Sequence, residues 1–440
     1  MELTMKLNID RVLRIKELLS QKTLPQSEIA RRHGVSRSMV SDIATGRAWT
    51  EVPWPSGEPC PKKPGGQHKP LADVDPTNER ILELESEVVH LTEERNREKA
   101  KVKAGAKITG LFKAVVKEMD ARIKPFKALP SAYRPDSKGQ IVEHCVLHIS
   151  DMHADAVVRP GEVGGMEEFN FPIACARAEH LVESVIDWTQ SALAPRFNFP
   201  VLWVLVYGDL SSGTIHKAAE RSYYRNQFKN SLAIGQLLGL MMRDLSSHFS
   251  SVNVVCVSGN HGRITPKKDY GGSQENFDYL IAEIARMHCK ELMNTSWLLP
   301  DAWSVNLNIN GVGMNVSHGD DVRSNGGLPW YAMQRRQKGL IAMNSVQGGL
   351  HTKYFAQGHH HAQGSLADMD GELLMNGAWI GTDQFAYNAL AGFREPSQLL
   401  HGMNEKYGAS WRLPIRLKTP GERGGPKRYL IDGGREVGPL

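Results

Sequence analysis

The chain has 440 residues, 41% hydrophobic and 23% charged, with a formal net charge of +5. This is the balance of an ordinary soluble protein, with length for two or three domains at about 150 residues each. No apolar run approaches the ~20 residues of a membrane span, and the N-terminal stretch mixes charges with apolar residues where a signal peptide needs an unbroken apolar run. Five scattered cysteines (Cys60, Cys145, Cys175, Cys256, Cys289) are odd in number and lack CxxC spacing, which disfavours a disulfide framework or a cysteine zinc site. The expectation is a cytoplasmic protein with reduced thiols and no membrane partner. Its charge is uneven: roughly +4 over residues 1–50, about +3 over 51–140 and about −2 over the rest. The front of the chain therefore suits an anion such as nucleic acid.

In chain order, Ile9, Val12, Leu13, Ile15, Leu18 and Leu19 keep to one broad face and predict a helix over 8–22. Two shorter helices follow in LPQSEIARRHGVSRSMVSDIATGR. Ser27 reads as a cap, Ala30 as a close helix contact, Gly34 as a turn, and Val35, Val40 and Ile43 as a second apolar face begun at Ser36. This all-α segment, 1–50, resembles a DNA-binding helix-turn-helix. Gly34 would supply a positive φ, and Ser36, Arg37 and Ser38 would open the recognition helix, flanked by Arg31, Arg32 and Arg47. A helical hairpin that binds protein would show the same pattern.

Residues 51–76 are dense in Pro and Gly and read as a linker. Over 77–128 a charged helix carries Ile81, Leu84, Val88 and Leu91 at steps of three and four, followed by an amphipathic helix that Pro125 ends. The first is either a short coiled-coil seam, through which the chain would form a homo-oligomer, or a solvated helix. From residue 143 the texture becomes α/β: HCVLHIS, FPVLWVLVYG, VNVVCVSG, GMNVSHG and KYFAQG are short β-branched runs, each ending in Gly or a polar residue. A domain over 143–418 and a tail over 419–440 complete the division.

Chemistry-bearing residues fall just past these runs: Asp151 and His153 in SDMH, Asp209 in YGDL, Asn260 and His261 in SGNH, His318 in SHGD, and His359 and His361 in GHHH. Carboxylate, imidazole and amide oxygen are the donors that divalent Mn, Fe or Zn accept. A lone GD or GNH is commonly a turn, so the weight lies in the conjunction. In an extended segment alternate residues point the same way, so His359 and His361 would face the site and His360 would face solvent.

Over roughly 143–385 these five motifs, in this order, resemble the calcineurin-like metallophosphoesterase family. The resemblance implies an α/β fold, a four-layer metallophosphoesterase β-sandwich flanked by helices. It implies two divalent metal ions, manganese first, with Fe, Zn, Mg and Ni as alternatives. Asp151, His153, Asp209 and His361 would bind one ion, and Asp209, Asn260, His318 and His359 the other. His261 would be the catalytic residue that is not a ligand, stabilising transition-state charge or protonating the leaving oxygen. Two points depart from the family: Gly262 and Arg263 follow Gly-Asn-His in place of an acidic residue, and Ser211 and Ser212 stand where the family's DNA-repair nucleases carry a histidine.

TIHKAAERSYYRNQFKN, read as a helix over 214–230, interleaves His216, Lys217, Arg221, Tyr224 and Arg225, a mixture suited to stacking on bases and tracking phosphates. GLPWYAMQRRQKGLIAM offers Trp330, Tyr331, Arg335, Arg336 and Lys338 in the same style. Surface helices that bury their aromatics would read alike. The combined expectation is a metal-dependent phosphodiesterase acting on DNA, a nuclease of phage or bacterial type recruited by its helix-turn-helix. The alternatives are a phosphomonoesterase, a cyclic-nucleotide phosphodiesterase, or a DNA-binding regulator with a structural metal core.

Overall fold

The computed structural model describes residues 9–21, 24–55, 110, 112–134, 139–215, 222–265, 272–322, 329–346, 349, 351–368 and 371–431. The chain divides into two compact units, Met1–Glu98 and Lys99–Leu440. The proposed coiled-coil seam, Ile81, Leu84, Val88 and Leu91, lies outside the described residues.

In the first unit α1 (Ile9–Gln21), α2 (Gln26–Arg32) and α3 (Arg37–Ala44) enclose Val12, Ile15, Ile29, Ala30, Val40 and Ile43. The apolar face of α1 is thus the expected one except at Ile9, which is exposed. Between α2 and α3 Gly34 has φ +57°, a region that costs glycine nothing, and the Val35 N–H donates to Ala30 O at 3.0 Å. Ser36 caps α3, its Oγ accepting from the Met39 N–H at 3.2 Å. Ser27 caps nothing. It sits inside α2, which begins after Pro25, whose fixed φ and extended backbone start the helix two residues earlier than expected. Past α3, buried Lys16 donates to Trp49 O at 2.8 Å and Val52 enters the core, so this unit runs beyond residue 50.

The second unit is built on two sheets. Strands β1 (Ile141–Val142) and β3 (Phe197–Asn198) form a short parallel pair. The larger sheet contains β2 (His144–Ile149), β4 (Val201–Tyr207), β5 (Ser251–Val257), β6 (Thr295–Leu298), β12 (Ser397–Asn404) and β13 (Gly408–Arg416), in the order β13-β12-β2-β4-β5-β6. The other, ordered β10-β11-β9-β8-β7, contains β7 (Ser304–Ile309), β8 (Val312–Ser317), β9 (Thr352–Gln357), β10 (Gly364–Asp368) and β11 (Gly371–Met375). All five strands expected from β-branched runs are present.

Alternation along the parallel strands assigns each face. Leu202, Val204 and Val206 of β4 join a core with α5 (Phe171–Asp187), α6 (Gln227–Ser246) and α7 (Phe277–His288). Leu205 and Tyr207 face the other way, onto Met314, Val316, Tyr354 and Ala356 of the second sheet. That sheet's outer residues Phe355, Leu373 and Met375 are covered by Met333 and Trp330 of α8 (Trp330–Val346). The result is an α/β sandwich of four layers, helices, sheet, sheet and helix. Strands buried on both faces read as continuous apolar runs, which is why they were recognisable.

A helix over 112–122, α4, lays Phe112, Val115, Val116 and Met119 on Phe277, Leu280 and Ile284 of α7. Residues 419–431, read as a tail, are packed into this unit: Glu422 pairs with fully buried Arg177 at 2.8 Å, and the hydroxyl of buried Tyr429 donates to Asp244 at 3.0 Å. No helix among the described residues is long and apolar enough to cross a membrane.

Candidate metal centre

The loops after β2, β4, β5, β8 and β9 converge. His153 Nε2 lies 3.3 Å from His361 Nε2 and 4.0 Å from Asp209 Oδ2, and His361 Nε2 lies 3.5 Å from Asp151 Oδ1. On the other side His318 Nε2 is 3.0 Å from Asp209 Oδ2 and 3.0 Å from Asn260 Oδ1. Donor atoms of Asp151, His153 and His361 lie within 4.8 Å of one another, as do those of Asp209, His318 and His359. All seven expected ligands are therefore brought together around Asp209, and His261, expected to stay outside the ligand set, also lies with His153 and Asp209 inside the same 4.8 Å limit.

The carboxylate of Asp209 is divided between two tasks. Oδ1 accepts the His261 N–H at 2.8 Å, whereas buried Oδ2 has no well-aligned hydrogen bond and faces His318 Nε2 at 3.0 Å. A buried carboxylate oxygen left in this state is costly unless a cation meets it. The donor set, two carboxylates, four imidazoles and an amide, suits divalent ions of the Mn, Fe or Zn type.

Charges in the cluster compete. Burial works against the charged form of Asp151, but the hydrogen bond and charge of His361 win and hold it down at about 2. Asp209 is likewise held well below the usual range, against burial, by His318 and His261. Burial would lower His318, yet the Asp209 carboxylate raises it to about 10. His153 and His359 go the other way, burial and neighbouring imidazoles lowering them to about 3 and about 4. These two are neutral at any physiological pH, the form in which an imidazole can bind a metal, and the field that keeps a proton on His318 equally favours a metal cation.

His261 is half-buried at the rim. Its Nδ1 lies 3.1 Å from Ser212 O, and since a carbonyl only accepts, Nδ1 carries the proton and Nε2 faces Asp209 Oδ2 at 4.0 Å. Ser212 is itself held by Asp155, whose buried carboxylate accepts its N–H at 2.7 Å and Asn230 Nδ2 at 2.9 Å. Burial pushes Asp155 up to about 6. Asp278 accepts the Asp209 and Leu210 N–H groups at 2.9 and 3.0 Å; burial and the Asp209 charge push it up to about 6. Neither carboxylate was singled out in the sequence: Asp155 lies two residues past His153, a signal at hand, but Asp278 opens a helix far from every motif.

Three expectations need correction. His359 and His361 reach the site from left-handed backbone, φ +66° and +51°, not from an extended segment. His360 does not face solvent: its Nε2 is buried without a hydrogen bond and its ring packs edge-on to His359, because the chain turns there. The helix over 214–230 is also revised, for residues 222–226 form a turn with Arg225 at φ +49°, and Asn226 caps α6. Tyr224 packs on Phe171 and is 3.4 Å from Ile431 O, so it serves the core, while Arg225 is exposed. His216, Lys217 and Arg221 lie outside the described residues.

Of the first unit's basic residues, Arg31 and Arg32 both pair with Glu28, at 2.7 and 3.0 Å, and Arg47 lies 3.4 Å from Asp42. Ser36, Arg37 and Ser38 are exposed at the start of α3. In α8 Trp330 packs inward and Arg336 pairs with Asp321, leaving Tyr331, Arg335 and Lys338 exposed.

No protein-family model and no curated protein matches the chain. Among solved structures it is similar to vacuolar protein sorting 29 from Cryptosporidium parvum, at 14% identity over 59% of this chain and 85% of that one, with a TM-score of 0.29. Vps29 complexed with zinc from Entamoeba histolytica is similar at 12% identity over 62% and 99%, TM-score 0.27. A predicted phosphoesterase from Streptococcus pneumoniae is similar at 8% identity over 63% and 99%, TM-score 0.25.

Proposed function

We propose that the chain is a dinuclear-metal-dependent phosphodiesterase acting on DNA, a nuclease recruited by an N-terminal helix-turn-helix. The observation that carries the hydrolytic part is Asp209 Oδ2, buried, with His318 Nε2 at 3.0 Å on one side and His153 Nε2 at 4.0 Å on the other, where the two groups of candidate ligands meet. Asp151, His153 and His361 would hold one cation and Asn260, His318 and His359 the other, with Asp209 common to both. When bound, such a pair supplies Lewis acidity to phosphate oxygens and makes a nucleophile available at neutral pH. The remaining work belongs to the chain. His261, its Nδ1–H fixed on Ser212 O, presents Nε2 at the rim, where the doubly protonated imidazolium can give its Nε2 proton to the departing oxygen and return to the neutral ring. Asp155 keeps the Ser212 peptide in place for that purpose.

The DNA part is supported by the exposed Ser36, Arg37 and Ser38 at the start of a capped helix preceded by a left-handed glycine turn. The Glu28 pairs of Arg31 and Arg32 are solvent-exposed on the arginine side, and pairs of that kind are weak enough to exchange for phosphate.

The test is incubation of the purified chain and Mn with labelled linear, circular and single-stranded DNA, beside bis-p-nitrophenyl phosphate and p-nitrophenyl phosphate. Hydrolysis of DNA and of the diester is expected. Deleting residues 1–76 should weaken DNA affinity and flatten its salt dependence while diester hydrolysis persists. Hydrolysis confined to the monoester would end the nuclease reading, and unchanged salt dependence would end the recruitment reading.

A further inference from the structure

Position 262, where the family pattern has an acidic residue, is glycine, and the space around it explains why. A Cβ there would lie 2.0 Å from Asn276 Oδ1. The start of α7 is pressed against this loop: the Phe277 N–H donates to Gly262 O at 2.7 Å and Asn276 Nδ2 donates to Gly259 O at 2.8 Å.

A carboxylate in the first turn of a helix ordinarily serves that helix's own N–H groups. Here Asn276 does so, its Oδ1 accepting the Asp278 N–H at 2.8 Å. The Asp278 carboxylate is buried and turned outward to two other loops. Its Oδ2 accepts the N–H of Asp209 and that of Gly259, both at 2.9 Å, and its Oδ1 accepts that of Leu210 at 3.0 Å. One loop carries Asp209 and the other carries Asn260.

We propose that Asp278, aligned by Asn276, is the positioning residue that joins the Asp209 and Asn260 loops, standing in for the acid absent at position 262. With three amides on one carboxylate, the loops after β4 and β5 cannot separate without breaking a charge-assisted hydrogen bond. Asp209 and Asn260 are thereby presented to the same cation. The inference rests on the metal centre of the proposed function and not on its substrate.

The test uses the full chain and reads metal binding. Mn affinity is measured calorimetrically, and the electron paramagnetic resonance spectrum distinguishes a coupled Mn pair from isolated ions. Asp278→Asn keeps the size but turns an NH2 group toward backbone donors. We expect about a 10- to 100-fold loss of Mn affinity, the range for residues that orient metal ligands, and replacement of the coupled spectrum by that of isolated Mn. Tyr429→Phe, which removes a buried hydrogen bond remote from the ligands, controls for lowered stability and should leave affinity and spectrum unchanged. Wild-type affinity and a coupled spectrum in folded Asp278→Asn would overturn the inference alone. If that variant does not fold, Asn276→Ser decides: it retains a capping oxygen but loses the Gly259 contact, so a weaker coupled signal supports the inference and a wild-type signal overturns it. Absence of Mn binding in the wild type would overturn this inference and the metal centre together.

Discussion

Gly259→Ala probes how tightly the two metal groups are assembled around Asp209. The backbone of Gly259 lies outside the left-handed region, so alanine adds no conformational strain and the perturbation is purely one of space. Its Cβ would stand 2.3 Å from Asp209 Oδ1 and 2.4 Å from Asp209 N, where ordinary contacts begin at 3.4 Å, so Asp209 must withdraw by about 1 Å. Overpacking of this kind costs about 1–3 kcal/mol of stability, and a displacement of ~1 Å in a catalytic array costs on the order of 100-fold in rate. Withdrawal also strains the His261 N–H contact to Oδ1 at 2.8 Å, so ligand and rim histidine move together. Urea denaturation in chelator measures the stability term, and calorimetric Mn titration with bis-p-nitrophenyl phosphate turnover measures the rest. A soluble Gly259→Ala protein with wild-type Mn affinity and turnover would refute the claim that Asp209 is held in contact with this loop.

His261→Ala is expected to keep its Mn content while turnover falls by orders of magnitude, because its Nε2 acts on charge that develops only in the transition state; parallel loss of metal would make it a ligand instead. His361→Ala should lose Mn affinity and His360→Ala should not, although burial of His360 predicts some loss of thermal stability; equal Mn loss in both would reassign the cluster. Between the sheets, His148 and His401 are buried, with both Nε2 atoms lacking hydrogen bonds, and burial lowers His401 to about 4 and His148 well below its ordinary 6.5. The unfolded chain therefore takes up protons that the folded chain refuses: stability is full above pH 6.5 and falls as pH drops toward 4, by roughly 3 kcal/mol for His401. His148→Gln with His401→Gln should flatten that slope in chelator-treated protein, and an unchanged slope would refute the assignment.

The residues that converge on the candidate site and the strands before them are legible because both are local signals: a buried strand is a continuous apolar run, and each of these residues follows one directly. Residues that act from a distance left no such mark. Asp278 serves loops about 70 and 20 residues upstream of it in the chain, and Lys16 closes the first unit by reaching Trp49 O. β12 and β13 alternate less clearly, and β12 carries polar Gln398 and His401 inside, so its burial in the sheet beside β2 comes from pairing and not from composition. The stretch 214–230 misled for a related reason. Its aromatic and basic residues suit a helix by propensity, but Asn226 caps a helix beginning at Gln227 and Tyr224 is drawn into the core.

The left-handed backbone at His359 and His361 belongs to a feature that runs through the whole site. Asp151, His153, Asp209, His359 and His361 all have positive φ, between +40° and +66°, a region costing an L-residue about 1–2 kcal/mol each. An extended chain leaving a strand would throw its side chains alternately to the two faces of the sheet, and neither direction leads to a shared centre beyond the strand ends. Left-handed backbone turns each ligand inward at once. The conformation persists because neighbouring loops over-determine it: the Asp151 N–H donates to Gly208 O at 3.1 Å, the His153 N–H to Asp209 O at 3.0 Å, and the His359 N–H to the Asp151 carboxylate at 3.0 Å. The loops brace one another through the groups that form the site, so strain concentrated at five ligand positions is what a built centre requires and what a set of unrelated turns would not retain.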